Sequence, residues 1–146
     1  MTTKSHKTPL RYPGGKSRAL SKLFQFIPNL SDYTEYREPF LGGGSVAIEV
    51  SKRYPHLKIW VNDLYEPLYN FWRQIQNNGE EIKDKLIEYK SLYPNPDKAR
   101  GLFVESKELV NDQTLDSLDR AVRFYIVNKC SFLSLIHISE PTRPRL

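Results

Sequence analysis

Apolar residues near the N-terminus recur at helical spacing. Ala19, Leu20, Leu23, Phe24 and Ile27 fall on one face, and Pro28 stops the run, so the pattern predicts a helix with Lys16 in its first turn. The segment Glu35 to Phe40 is short and β-permissive and ends at a run of glycines. Val46, Ile48 and Val50 then open an apolar helix that fades by Tyr54-Pro55. Leu57-Lys58-Ile59-Trp60-Val61 alternates toward a second strand closed by Asn62-Asp63. Strand, glycine turn, helix and strand make a βαβ unit, whose strands are expected to be parallel with a right-handed crossover.

Beyond Asp63 the period is helical throughout. Leu68, Phe71, Trp72 and Ile75 share a face between Glu66 and Asn78, and Asn77-Asn78-Gly79 is the expected stop. Two further helices are predicted, Glu80 to Leu92 and Asp97 to Val110, separated by Tyr93-Pro94-Asn95-Pro96. A last one runs from Leu115 to about Phe132, with Ala121, Phe124, Tyr125 and Asn128 on one side. The change from βαβ to consecutive helices near Gly79 marks the start of a helical insertion or subdomain.

Composition narrows the class. With 146 residues, 39% hydrophobic and 27% charged, the chain is one domain's worth or a fragment of something larger, and it carries enough apolar residues for a packed core. No apolar stretch is long enough to cross a bilayer, and Met1 to Thr8 is polar rather than a signal peptide, so a cytoplasmic location is expected. The lone Cys130 reads as a small buried hydrophobe, while His6, His56 and His137 lack ligand spacing, so no metal site is expected. A formal charge of +5 leans toward a polyanionic partner such as DNA. Between Glu80 and Lys107, however, acids and bases alternate as on a solvated helical face.

The chemistry concentrates in two glycine turns and one acid. In Arg37-Glu38-Pro39-Phe40-Leu41-Gly42-Gly43-Gly44-Ser45 the glycines can bend sharply out of a strand and present backbone amides at a helix start. Glu38 argues against a phosphate cradle there, because a fixed negative charge at the rim suits an ammonium or sulfonium ligand instead. Gly42, Gly44 and Ala47 also fit the looser dinucleotide fingerprint, and Asp63 lies about twenty residues on, where an acid can accept hydrogen bonds from ribose hydroxyls. Asp63 fits equally the role of a helix N-cap, with Glu66 completing a capping box. The upstream Leu10-Arg11-Tyr12-Pro13-Gly14-Gly15-Lys16-Ser17 is not a P-loop, since Leu10 stands where that motif needs glycine. A lysine at a helix start opposes the helix dipole, which favours a ligand role for Lys16.

Together with Ile59-Trp60-Val61-Asn62-Asp63 and with Phe124 to Phe132, these segments resemble, over roughly nine-tenths of the chain, the N-terminal half of the Dam-like DNA adenine-N6 methyltransferases. The resemblance implies an α/β, Rossmann-like S-adenosylmethionine-dependent methyltransferase fold, N-terminal part only, with the start of a helical target-recognition insertion. It implies S-adenosyl-L-methionine as cofactor, double-stranded DNA as partner, and a setting such as restriction-modification. It carries over cofactor contacts to Tyr12, Lys16, Phe40, Gly42, Gly44 and Asp63. The implied organisation is a cofactor-binding part over 1–78 and the beginning of the DNA-reading region over 79–132.

The family's Asp-Pro-Pro-Tyr-type motif, which holds an extruded adenine beside the sulfonium, has no counterpart in the sequence, so no catalytic residue is assigned and the chain as given is expected to be truncated and inactive. After Phe132 the sequence leaves the family pattern, and residues 133–146 resemble a translated sequencing adapter and are expected to be artefactual. Two other readings of the residues stand beside this one: a fragment of a NAD-type Rossmann dehydrogenase, and a small basic DNA-binding module without catalysis.

Overall fold

A computed structural model of the chain describes residues 7–12 and 15–137, with side chains in the last helix as far as Ser131. Pro13 and Gly14 lie outside the described residues, as do 138–146. Of the expected artefactual tail, 133–137 continue the last helix and 138–146 lie outside the described residues. The described chain is mixed α/β with a small parallel sheet. It divides into two compact units, one ending at Tyr65 and the other starting at Glu66.

In the first unit, β1 (Glu35–Glu38) and β2 (Lys58–Val61) pair in parallel, with Glu35 opposite Lys58 and Glu38 opposite Val61. Backbone bonds from Leu41 N–H to Asn62 O (2.9 Å) and from Asn62 N–H to Glu38 O (3.0 Å) carry the pairing past both strand ends, where the glycine turn begins. Strand alternation puts Tyr36, Glu38, Ile59 and Val61 on one face, leaving the more exposed Arg37, Lys58 and Trp60 on the other. Between the strands runs α2 (Ser45–Arg53), whose Val46 and Val50 form a cluster with Leu57. Leu20, Leu23, Phe24, Ile27, Tyr36 and Ile59 pack around it. Val50 is fully buried, worth about 1.5–3 kcal/mol of transfer free energy.

The helix expected after the first glycine turn is real but broken. A 3₁₀ turn covers Lys16–Arg18 and a single α-turn, α1, covers Leu20–Leu23, with looser turns continuing to Ile27. Gly15 supplies no side-chain cap, so the first N–H groups gain nothing that would nucleate a regular helix. The apolar face nevertheless reaches the core as its spacing predicted.

The second unit comprises α3 (Glu66–Leu92), α4 (Pro96–Leu109) and α5 (Ser117–His137). The expected stop at Asn77-Asn78-Gly79 is a kink instead. Asn78 leaves helical geometry (φ −134°, ψ 34°), its amide donates to Gln74 Oε1 at 2.6 Å, and the helix then resumes. Gly79 does not adopt the positive φ of a helix-ending glycine. The packing core is aromatic: Phe71, fully buried, stacks on Tyr125 at 5.9 Å and meets Phe124 at 5.4 Å. Asn95 caps α4 through the Lys98 N–H, with Pro96 at the first helical position. Asp116 caps α5 through the N–H groups of Leu118 and Asp119. The buried Arg120 gives Nη1 to both oxygens of Glu66 at 2.9 and 2.7 Å, an ion pair that links residues 54 apart and that no local pattern announces.

No helix among the described residues is long and apolar enough to span a membrane, and no described group of His, Cys, Asp and Glu is arranged to hold a metal ion. Cys130 is half-buried, and burial pushes its thiol pKa up.

Candidate cofactor site

Where β1 gives way to α2, the chain must reverse within a few residues. Gly42 (φ 53°) and Gly44 (φ 71°) supply the left-handed conformations that make this possible, and Gly44 is the residue from which α2 starts. The turn also accepts the aromatic ring from upstream. A Cβ placed on Gly42 would stand 3.2 Å from the Tyr12 ring, and one on Gly43 would stand 3.1 Å from Tyr12 Cβ. The glycines are therefore required both by backbone conformation and by the docking of Tyr12. Thr8 adds a hydroxyl bond to the Gly43 carbonyl, and the Gly15 N–H donates to Tyr12 O at 2.8 Å, so the two glycine segments are tied into one structure.

These segments and the end of β2 enclose a cavity of about 230 Å³. All six residues singled out from the sequence, Tyr12, Lys16, Phe40, Gly42, Gly44 and Asp63, line it. Glu38 and Ser45 line it as well. Phe40 is 78% exposed, so its ring is not core and is free to lie against a ligand. Tyr12, at 39%, keeps one part packed on the glycines and the rest accessible.

Asp63 ties the floor of the site together. One carboxylate oxygen accepts the Gly42 N–H at 2.9 Å and the other accepts the Tyr65 N–H at 3.1 Å. The capping-box alternative does not form, because α3 begins at Glu66 and the Glu66 carboxylate is held by Arg120. Each Asp63 oxygen retains a further lone pair for a ligand hydroxyl.

Glu38 is the electrostatic centre. Its side chain is only 9% exposed and carries three contacts: Lys16 Nζ at 3.6 Å from Oε1, the Tyr36 hydroxyl donating to Oε2 at 3.3 Å, and the Ala47 backbone N–H from the first turn of α2. Burial pushes its carboxyl pKa up, and Lys16, Tyr36 and Ala47 only partly counter that. A carboxylate of the protein thus already occupies the N-terminus of α2, where a phosphate would otherwise settle. The site suits a ligand with a cationic group. Ser17 and Ser45 join the two walls through their hydroxyls at 2.7 Å. Tyr36, Ser17 and Thr8 escaped the sequence reading. Only the alternation that sets Tyr36 on the face of Glu38 could have pointed to one of them.

Residues 12–142 match the family described as D12 class N6 adenine-specific DNA methyltransferase. The Type II methyltransferase M.MjaIII of Methanocaldococcus jannaschii is 25% identical over 138 residues, covering 90% of this chain and 48% of that protein. The Type II methyltransferase M1.LlaDCHI of Lactococcus lactis subsp. cremoris is 23% identical over 133 residues, covering 89% of this chain and 43% of its own length. The chain spans about half the length of these curated relatives.

Proposed function

The chain belongs to the D12 class N6 adenine-specific DNA methyltransferase family, and on that premise we propose that it forms the S-adenosylmethionine-binding part of an enzyme that methylates N6 of adenine in double-stranded DNA. The observation that carries the cofactor assignment is the convergence of Tyr12, Lys16, Phe40, Gly42, Gly44 and Asp63, from separate stretches of sequence, on one cavity walled by a buried carboxylate. The parallel β1–β2 pair with α2 between its strands is read as the first βαβ unit of a Rossmann-like methyltransferase fold, within a cofactor-binding part over 1–78. The helices over 79–132 are read as the beginning of the DNA target-recognition region; the family match itself runs on to residue 142, into the 133–146 segment. Restriction-modification is the setting that suits the relatives' Type II names, and a cytoplasmic location is part of the same proposal.

S-adenosylmethionine supplies a methyl group made electrophilic by a sulfonium centre. The chain's own residues bind and orient it. Asp63 offers acceptors to ribose hydroxyls, Phe40 and Tyr12 offer ring faces, and the turn at Gly42 and Gly44 lets backbone approach closely. Glu38 places a negative charge toward the cationic end of the ligand, and Lys16 a positive one toward its carboxylate. Presenting the extruded adenine falls to no residue assigned here. Titration calorimetry with S-adenosylmethionine and with NAD tests the reading. The first should bind and the second should not, and the first should weaken roughly ten- to a hundredfold in Asp63→Ala. Binding of NAD without S-adenosylmethionine overturns it.

A further inference from the structure

Glu38 faces the cavity, yet the group that fixes its second oxygen does not line it. Tyr36 lies two residues earlier on the same face of β1, with its ring packed against the Val46, Val50 and Leu57 cluster and its hydroxyl 3.3 Å from Glu38 Oε2. We propose that Tyr36 is a positioning residue of the donor site, acting through Glu38: it holds the carboxylate ionised and turned so that Oε1 faces Lys16 and the cavity. The inference rests on the cofactor reading above and extends it to a residue outside the cavity wall.

The groups around Glu38 come from four elements. Lys16 approaches from the 3₁₀ turn, Tyr36 lies on β1 itself, the Ala47 N–H comes from α2, and Asp63 lines the same cavity from the end of β2. Lys16 is half exposed, 51% at the side chain, so it can swing to a ligand carboxylate when a cation takes its place on Oε1. Tyr36 cannot make that exchange. Its half-buried ring is held against the Val46, Val50 and Leu57 cluster, and burial together with the neighbouring Glu38 pushes its phenol up to about 12, so it stays a proton donor across the whole range in which a carboxylate titrates. When Lys16 leaves, the phenol and the Ala47 amide remain to keep a buried carboxylate charged. Without the phenol, burial raises the Glu38 pKa further, and the site loses its negative charge at a higher pH than before.

The test compares Tyr36→Phe, Glu38→Gln and the double variant by calorimetry across pH, with two probes. S-adenosylmethionine carries the amino-acid end, and methylthioadenosine keeps the nucleoside and sulfur without it. Tyr36→Phe keeps the packing ring and should bind S-adenosylmethionine about tenfold more weakly at pH 7, with methylthioadenosine changed less than about twofold. The acidic limb of its affinity profile should move to higher pH. Glu38→Gln should erase that limb, and adding Tyr36→Phe to it should cost nothing more. Equal losses for both probes, an unmoved limb, or additive losses in the double variant overturn the proposal and leave Tyr36 as packing alone. Failure of the unsubstituted protein to bind S-adenosylmethionine sinks the cofactor reading itself, and this inference with it.

Discussion

Glu38 shows how a site residue can oppose the fold that holds it. Its carboxyl pKa is raised chiefly by burial, so the folded chain holds that proton more tightly than the unfolded one does. Its contribution to stability is therefore fully present below the ordinary glutamate range and is lost as pH rises through the raised folded value. Glu38→Gln should flatten this part of the stability profile: as pH rises above the ordinary glutamate range the variant's urea midpoint should fall less with pH than that of the parent. Parallel profiles would show that the carboxylate is no more strained in the fold than in the unfolded chain. The glycines carry a different cost. At Gly44, with φ 71° and α2 starting next to it, a β-branched side chain has no comfortable conformation. Gly44→Val should lower stability by about 2 kcal/mol or more. Cofactor affinity should fall further than the folded fraction alone accounts for, as read by calorimetry beside a denaturation curve.

At the level of elements, glycine has the opposite meaning. Gly101 sits inside α4 without positive φ, and an added Cβ would meet nothing within 4 Å. Gly101→Ala should raise stability by about 0.5–1 kcal/mol through helix propensity and a less flexible unfolded chain, and an unchanged or lower melting temperature would contradict this. The same contrast explains what could be read from sequence. β1, β2 and α2 were legible because strand alternation, glycine and apolar helical spacing agree over 35–61. The kink at Asn78 was not, because Asn77-Asn78-Gly79 is a local stop signal overridden by helix on both sides, and only φ separates a capping glycine from a helical one. The six candidate site residues, which line one cavity, could be singled out because each sits on a motif. Tyr36 and Ser17 were not, since their roles depend on contacts with Glu38 and Ser45 that appear only once β1, the 3₁₀ turn and α2 are brought together. The Glu66–Arg120 pair was beyond reach for the same reason, as two charged residues among many gain meaning only from burial.

At the scale of the whole chain, the described sheet holds two strands in the order β1–β2, so each strand offers one lateral edge without a strand partner among the described residues. A sheet face carrying Arg37, Lys58 and a Trp60 that is 47% exposed lies open beside them. Parallel sheets are ordinarily covered on both faces, and open edges pair with other chains. A polypeptide of these 146 residues alone should therefore associate as its concentration rises, seen as a growing apparent mass in light scattering. It should also transfer no labelled methyl group to adenine in duplex DNA. On the proposed reading its cavity takes the donor, but its sequence contains no Asp-Pro-Pro-Tyr segment to grip an extruded base in line with the sulfonium, and proximity of donor and acceptor is most of what such a transfer requires. Donor binding without transfer is the expected signature. A monodisperse monomer at high concentration would show that the sheet edges are protected by the chain itself, and measurable adenine methylation would mean that residues already present do the work assigned to the missing motif.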